Sequence, residues 1–147
     1  MQPAKSETRR PARSKAAAWL AGAGLRPTRQ RLVLAELLIG DGRNRHVTAE
    51  GLHAAARRNN APVSLATVYN TLRAFWRAGL MHEVTVDGTR SYVDTRTDDH
   101  PHYYWEEDGR LTDAPAEAAL LAGPPQIPAG AELVRIDVVL RLRRAKG

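Results

Sequence analysis

SLATVYNTLRAFWRAGL, residues 64–80, reads as a helix with a different task on each face. Leu65, Val68, Leu72, Phe75 and Trp76 recur at three- and four-residue steps and share one stripe. Ala66, Thr67, Asn70, Arg73, Ala74 and Arg77 fall on the other side. The stretch contains no acid, whereas a solvated helix face usually mixes both charge signs. An acid-free face carrying Asn, Thr and Arg suits the base edges and phosphates of a DNA major groove. Ser64 is a good N-cap and Gly79 a good C-terminal stop. Alone, the stretch would be an ordinary amphipathic helix; its neighbours decide otherwise.

Immediately upstream, Thr48 should cap a helix to about Arg58 with Leu52, Ala55 and Ala56 inward, and residues 59–63 form a short connection. Helix, short turn and polar-faced helix make a helix-turn-helix. Immediately downstream, β-branched residues flank Asp87-Gly88, a strong hairpin signal. A hairpin directly after such a helix is the wing of a winged helix, and Arg90 near its tip could reach a DNA backbone. Further upstream, Thr28 should cap a helix over residues 29–39. Its first turn carries Arg29 and Arg31, with Arg26 just before them; cations there oppose the helix dipole, which fits a nearby phosphate or simple solvation. Ser14 could cap a short helix over residues 15–21, anchored by Trp19 and Leu20. Residues 1–13 read as a flexible basic tail, either a solvated end or an arm adding phosphate contacts.

The C-terminal third has different chemistry. His100-Pro101-His102-Tyr103-Tyr104-Trp105 looks like a strand entered through a proline, Asp108-Gly109 a turn, and residues 110–113 the return strand. A short helix is expected over residues 115–122, with Leu120 and Leu121 as its apolar pair. Residues 132–144 alternate, with Val134, Ile136, Val138, Leu140 and Leu142 on one face, which predicts a half-buried strand. So small a unit buries little alone, and a second copy is the simplest partner.

The 147 residues carry a net charge of +6, which favours an anionic partner. No cysteine is present, so disulfides, Cys-ligated zinc and thiol catalysis are excluded, and any metal must be held by His, Asp and Glu. No apolar run approaches the ~20 residues needed to span a bilayer, and no secretory signal is expected. The expected setting is the cytoplasm, with no membrane partner. The expected fold is α+β: residues 1–13 a tail, 14–93 a winged-helix DNA-binding domain, and 94–147 a small α/β domain for dimerisation, to which the family resemblance below adds metal or haem sensing.

Leu25-Arg26-Pro27-Thr28, His46-Val47-Thr48-Ala49-Glu50, Ser64-Leu65-Ala66-Thr67-Val68-Tyr69, the hairpin and the His-rich strand occur in an order that resembles the ferric uptake regulator family over residues 14–144. Within it the chain looks most like the iron response regulators (Irr) of alphaproteobacteria, through its lack of Cys pairs, its short His motif and its ending near Val138-Val139-Leu140-Arg141-Leu142. The resemblance implies a dimeric regulator that responds to iron or haem status, controls iron uptake and haem synthesis genes, and binds an A·T-rich operator in double-stranded DNA. Carried over position by position, it implies that Ser64, Thr67, Tyr69, Asn70 and Arg73 approach bases and phosphates, and that Arg26 enters a minor groove.

It further implies that His46, Asp94, His100, His102 and Asp113 form a hinge metal site for iron, manganese or zinc, with haem as a further candidate ligand. Iron response regulators have consecutive histidines where this chain has His100-Pro101-His102. His53 and His82 are expected to be structural, and Glu117 is a weak candidate for a second metal site. The alternatives are a manganese-, zinc- or peroxide-responsive regulator of the same family, a metal-independent DNA-binding protein, and a metallohydrolase. The last is disfavoured because no HExxH motif occurs, and the chain is not expected to be an enzyme.

Overall fold

The computed structural model describes residues 9–88, 90–119 and 125–146. They form two compact units, divided between Thr97 and Asp98. The expected division after residue 93 would cut a strand that runs from Arg90 to Asp94.

The first unit runs α1 (Arg9–Gly22), α2 (Arg29–Ile39), β1 (His46–Val47), α3 (Ala49–Arg58), α4 (Leu65–Arg77), β2 (His82–Asp87) and β3 (Arg90–Asp94). Three of its helices start where the sequence places a hydroxyl. Thr28 Oγ1 accepts from the Arg31 N–H at 3.3 Å, Thr48 Oγ1 from Gly51 at 3.0 Å and Ser64 Oγ from Thr67 at 3.1 Å. Gly79, at φ 78°, stops α4 in the left-handed region, with the Leu80 N–H donating back to the Phe75 carbonyl at 3.0 Å. α1 differs from expectation. It starts at Arg9, so residues 9–13, expected in the tail, are helical, and Ser14 lies inside the helix rather than capping it.

The core is built from one stripe of each helix. Leu20 of α1, Leu34 and Leu38 of α2, Leu52 and Ala56 of α3, and Val68, Leu72 and Phe75 of α4 are buried together with Met81. Trp19 meets Phe75 edge-on, with ring centroids 5.3 Å apart. Leu65 and Trp76 depart from the expected stripe. Each sits on its shoulder and is exposed, while Thr71 takes a buried place.

β2 and β3 form the expected hairpin, but Asp87 pairs with Arg90, so the turn residues are Gly88 and Thr89; Thr89 lies outside the described residues. The two-residue β1 was not expected. It adds to β3 with His46 opposite Asp94 and Val47 opposite Val93, giving a sheet in the order β1-β3-β2. Three helices and a hairpin in this order are a winged helix.

The second unit holds β4 (His102–Trp105), β5 (Arg110–Asp113), a 3₁₀ turn (Ala116–Ala119) and β6 (Val139–Leu142). β4 pairs antiparallel with β5 and parallel with β6, in the order β5-β4-β6. The expected helix over residues 115–122 is this 3₁₀ turn, and Leu120 and Leu121 lie outside the described residues. The strand expected over residues 132–144 shrinks to four residues. Alternation alone makes no strand: β6 pairs only along the four residues of β4, from His102↔Val139 to Trp105↔Leu142. Val134 and Ile136, assigned to a half-buried face, are exposed, Val134 at 92%.

Candidate nucleic-acid face and metal clusters

α4 presents one buried face and one open face. With Val68, Thr71, Leu72 and Phe75 turned inward, helical geometry sends Ala66, Asn70, Arg73 and Arg77 outward, and all four are exposed. The guanidinium groups of Arg73 and Arg77 have no ion-pair partner among the described residues. The same holds for Arg26 and Arg29. The loop carrying Arg26 is pinned, because Arg31 Nη1 donates to the Arg26 carbonyl at 3.0 Å. A cavity of about 200 Å³ between the first turn of α2 and that of α4 is lined by Arg29, Gln30, Ser64 and Thr67 among others.

The expected contact residues therefore split by availability. Arg26, Asn70 and Arg73 are open. Ser64 is exposed, but its Oγ is engaged in capping and also donates to Thr67 Oγ1 at 2.9 Å. Arg90 is exposed at the start of β3, and its N–H donates to Asp87 Oδ1 at 3.0 Å, which closes the wing turn.

Tyr69 lies on the flank of α4, where its hydroxyl donates to the Glu50 carboxylate of α3. That hydrogen bond holds Glu50 below the usual carboxylate range and pushes the Tyr69 hydroxyl up. The sequence places Glu50 in a family motif but gives it no partner. Its 19-residue separation from Tyr69 gives no local signal. Tyr69, Arg73, Trp76 and Arg77 form one wall of a groove of about 300 Å³, and Glu83 and Ser91 of the hairpin form the other.

Each unit also carries a His/carboxylate cluster. In the first, the β1–β3 register sets His46 directly opposite Asp94, with His46 Nε2 3.0 Å from Asp94 Oδ2. The other Asp94 oxygen accepts from the Arg96 N–H at 2.9 Å. Asp94 is fully buried.

In the second unit, the β4–β5 register sets His102 opposite Asp113. His100 Nε2 is 2.7 Å and His102 Nε2 3.8 Å from Asp113 Oδ1, and the two rings are 4.4 Å apart. Residues two apart on an extended chain point the same way, which is why Pro101 between them does not separate them. His100 Nδ1 donates to the Asp98 carbonyl at 2.7 Å, a bond that orients the ring with Nε2 toward Asp113, as the outer partner of a metal-ligating histidine does. Imidazole nitrogens with carboxylate oxygens are a donor set for Fe(II), Mn(II) or Zn(II). Glu117 joins no such group among the described residues. His82, expected to be structural, faces the Thr97 carbonyl through Nε2.

The sequence profile of the "Ferric uptake regulator family" matches residues 22–121. The "Peroxide operon regulator" of Bacillus subtilis is 37% identical over 90 residues, covering 61% of each protein. The "Peroxide-responsive repressor PerR" of Staphylococcus aureus is 34% identical over 91 residues, covering 62% of this chain and 60% of the relative. This chain thus spans about three fifths of the length of these relatives. Among solved structures, the ferric uptake regulator from Pseudomonas aeruginosa with manganese superposes with a TM-score of 0.60 at 26% identity, covering 89% of this chain and 98% of that one.

Proposed function

The chain belongs to the ferric uptake regulator family, and from that premise we propose that it is a dimeric, sequence-specific DNA-binding transcriptional regulator whose operator affinity is set by a divalent metal. The observation that carries this reading is the outward face of α4, which is exposed, free of acid and furnished with Asn70, Arg73 and Arg77. In the proposal α4 enters the major groove. Asn70 and Arg73 read base edges, Ser64, Thr67 and Tyr69 lie against the same strand, Arg26 enters a minor groove, and Arg90 meets the backbone from the wing.

His46 and Asp94 supply ligands from the first unit, and His100, His102 and Asp113 from the second. Two or three donors are fewer than iron or manganese normally takes, so ligands drawn from both units explain why each cluster is incomplete alone. A bound ion would supply a charge centre that ties the units to one another and selects the arrangement that fits two half-sites. No helix among the described residues is long and apolar enough to cross a membrane; in the proposal the protein acts on DNA in the cytoplasm.

Within the family we assign the chain to the iron response regulators, which respond to iron or haem status and control iron uptake and haem synthesis genes. The support is the absence of cysteine, the His100-Pro101-His102 motif before the aromatic strand, and the basic C-terminal strand. A second reading is favoured by the two peroxide-responsive relatives at 37% and 34% identity. In that reading, the same His/Asp residues would hold Fe(II), which would supply the catalysis by which hydrogen peroxide transfers one oxygen to a ligating histidine and leaves as water.

Fluorescence anisotropy of the metal-loaded protein on an A·T-rich duplex and a G·C-rich control tests both. Preference for the A·T-rich duplex and release by haem are expected. Release of the Fe(II)-loaded protein by hydrogen peroxide, with one oxygen added to His100 or His102 and no effect of haem, assigns the second reading. Equal affinity for both duplexes contradicts the proposal.

A further inference from the structure

The His46–Asp94 pair sits inside a frame that neither the sequence motifs nor the ligand set accounts for. Arg45, next to His46, is tied on every side. Its Nη2 and Nη1 donate to Asp41 Oδ2 and Oδ1 at 2.5 and 2.7 Å, and Nη1 also donates to the Leu38 carbonyl of α2 at 3.0 Å. A bidentate guanidinium–carboxylate pair of this kind has a fixed geometry, so Arg45 braces the end of α2 against the start of β1.

The Arg45 backbone is then locked to Thr95, the residue after Asp94. The Arg45 N–H donates to Thr95 Oγ1 at 2.8 Å, and the Thr95 N–H donates to the Arg45 carbonyl at 3.1 Å. Thr95 Oγ1 donates onward to Asn44 Oδ1 at 3.4 Å. Thr95 is 7% exposed, so these bonds face little competition from water.

We propose that Thr95 and Arg45 are positioning residues for the metal, holding the His46 imidazole and the Asp94 carboxylate so that both meet one ion. The inference rests on the reading of His46 and Asp94 as ligands. The reciprocal bonds flank the two ligands on both strands, one residue before His46 and one after Asp94. With the first Asp94 oxygen held by the Arg96 N–H, rotation of the carboxylate is also fixed, and the second oxygen is the one presented. Partners that orient ligands in this way typically alter metal affinity about 10–100-fold when removed.

The test uses the purified, metal-stripped 147-residue protein, titrated with Mn(II) for affinity and with Co(II) for visible absorption. Thr95→Val keeps the side-chain shape and deletes the hydroxyl. It is expected to weaken Mn(II) binding about 10–100-fold and to shift the Co(II) bands, while Thr95→Ser restores both. If Thr95→Val does not fold, Arg45→Lys, which breaks the bidentate pair, is expected to show the same two changes. Wild-type affinity and spectrum in Thr95→Val or in Arg45→Lys overturn the proposal, as does a loss that Thr95→Ser fails to restore. Asp94→Asn separates the two levels. Unchanged Mn(II) affinity and spectrum in that variant would overturn the ligand reading itself, whatever Thr95 does.

Discussion

Arg73 and Tyr69 stand four positions apart on α4, and their surroundings give them different work. Arg73 is open, whereas the Tyr69 hydroxyl is already given to Glu50. Of the two, Arg73 is the one proposed to read a base. Arg73→Ala is expected to weaken specific binding by ~1–3 kcal/mol and to relax sequence preference. Competition anisotropy against single-base operator variants measures both, and unchanged preference would remove Arg73 from the readout. The cap hydroxyls Thr28, Thr48 and Ser64 were legible in the sequence because a cap is a local arrangement of three or four residues. The Glu50–Tyr69 and Arg45–Thr95 pairs were not, because they are made only once distant elements pack.

Asp41 shows what such a pair does to stability. Hydrogen bonds from the Arg45 guanidinium, and then from the Arg43 N–H, hold its carboxyl well below the usual carboxylate range. A depressed folded-state pKa means that the unfolded chain takes up the proton first. The pair's stabilisation is thus complete above the ordinary Asp value of about 4 and fades as the pH falls below it. Between about pH 5 and pH 3, the wild type should lose more melting temperature than Asp41→Asn, as followed by circular dichroism. Equal losses would show that the pair adds nothing.

At the scale of elements, helices 2 to 4 came through from sequence with their starts intact, while the strands came through only in part. A helix is closed by its own hydrogen bonds, and a strand needs a partner that the sequence does not name. β1 exists because β3 offers an edge to His46 and Val47, and β6 ends where β4 ends. Helix starts are legible only where a cap residue is used. α1 extends past Ser14 to Arg9, and within it Arg13 Nε reaches Glu36 Oε1 of α2 at 3.8 Å.

The packing of α1 on α2 makes its own demand. A Cβ on Gly40, just past α2, would press on the Glu36 carbonyl oxygen and come within 3.0 Å of the Ala12 Cβ. Gly40→Ala is expected to destabilise the protein by ~1–3 kcal/mol through overpacking, read from the urea midpoint. Wild-type stability would mean that the Glu36 carbonyl and Ala12 give way at no cost.

For the whole molecule, the ion pairs show which cations are left open. Arg26, Arg29, Arg73 and Arg77 of the first unit have no ion-pair partner among the described residues. In the second unit Arg143 meets Glu106 at 3.4 Å, and Arg144 meets Asp108 at 3.3 Å. The net charge of +6 favours an anionic partner but does not say which half would meet it. The same unit leaves Leu133, Val134 and Ile136 exposed just ahead of the edge strand β6, a surface that a second copy would cover. Light scattering should give a dimer for the wild type and a monomer for Val134→Asp combined with Ile136→Asp. A wild-type monomer, or a double variant that stays dimeric, would place the interface elsewhere.

In the proposal, a divalent metal at the His/Asp clusters sets DNA affinity. The most direct test is the dissociation constant of the metal-stripped protein for one A·T-rich duplex at fixed salt, measured with and without Mn(II), in the wild type and in His102→Ala. Tighter binding with Mn(II) in the wild type and no response in the variant are expected. An affinity indifferent to Mn(II) in the wild type, or a response that survives in His102→Ala, would contradict it.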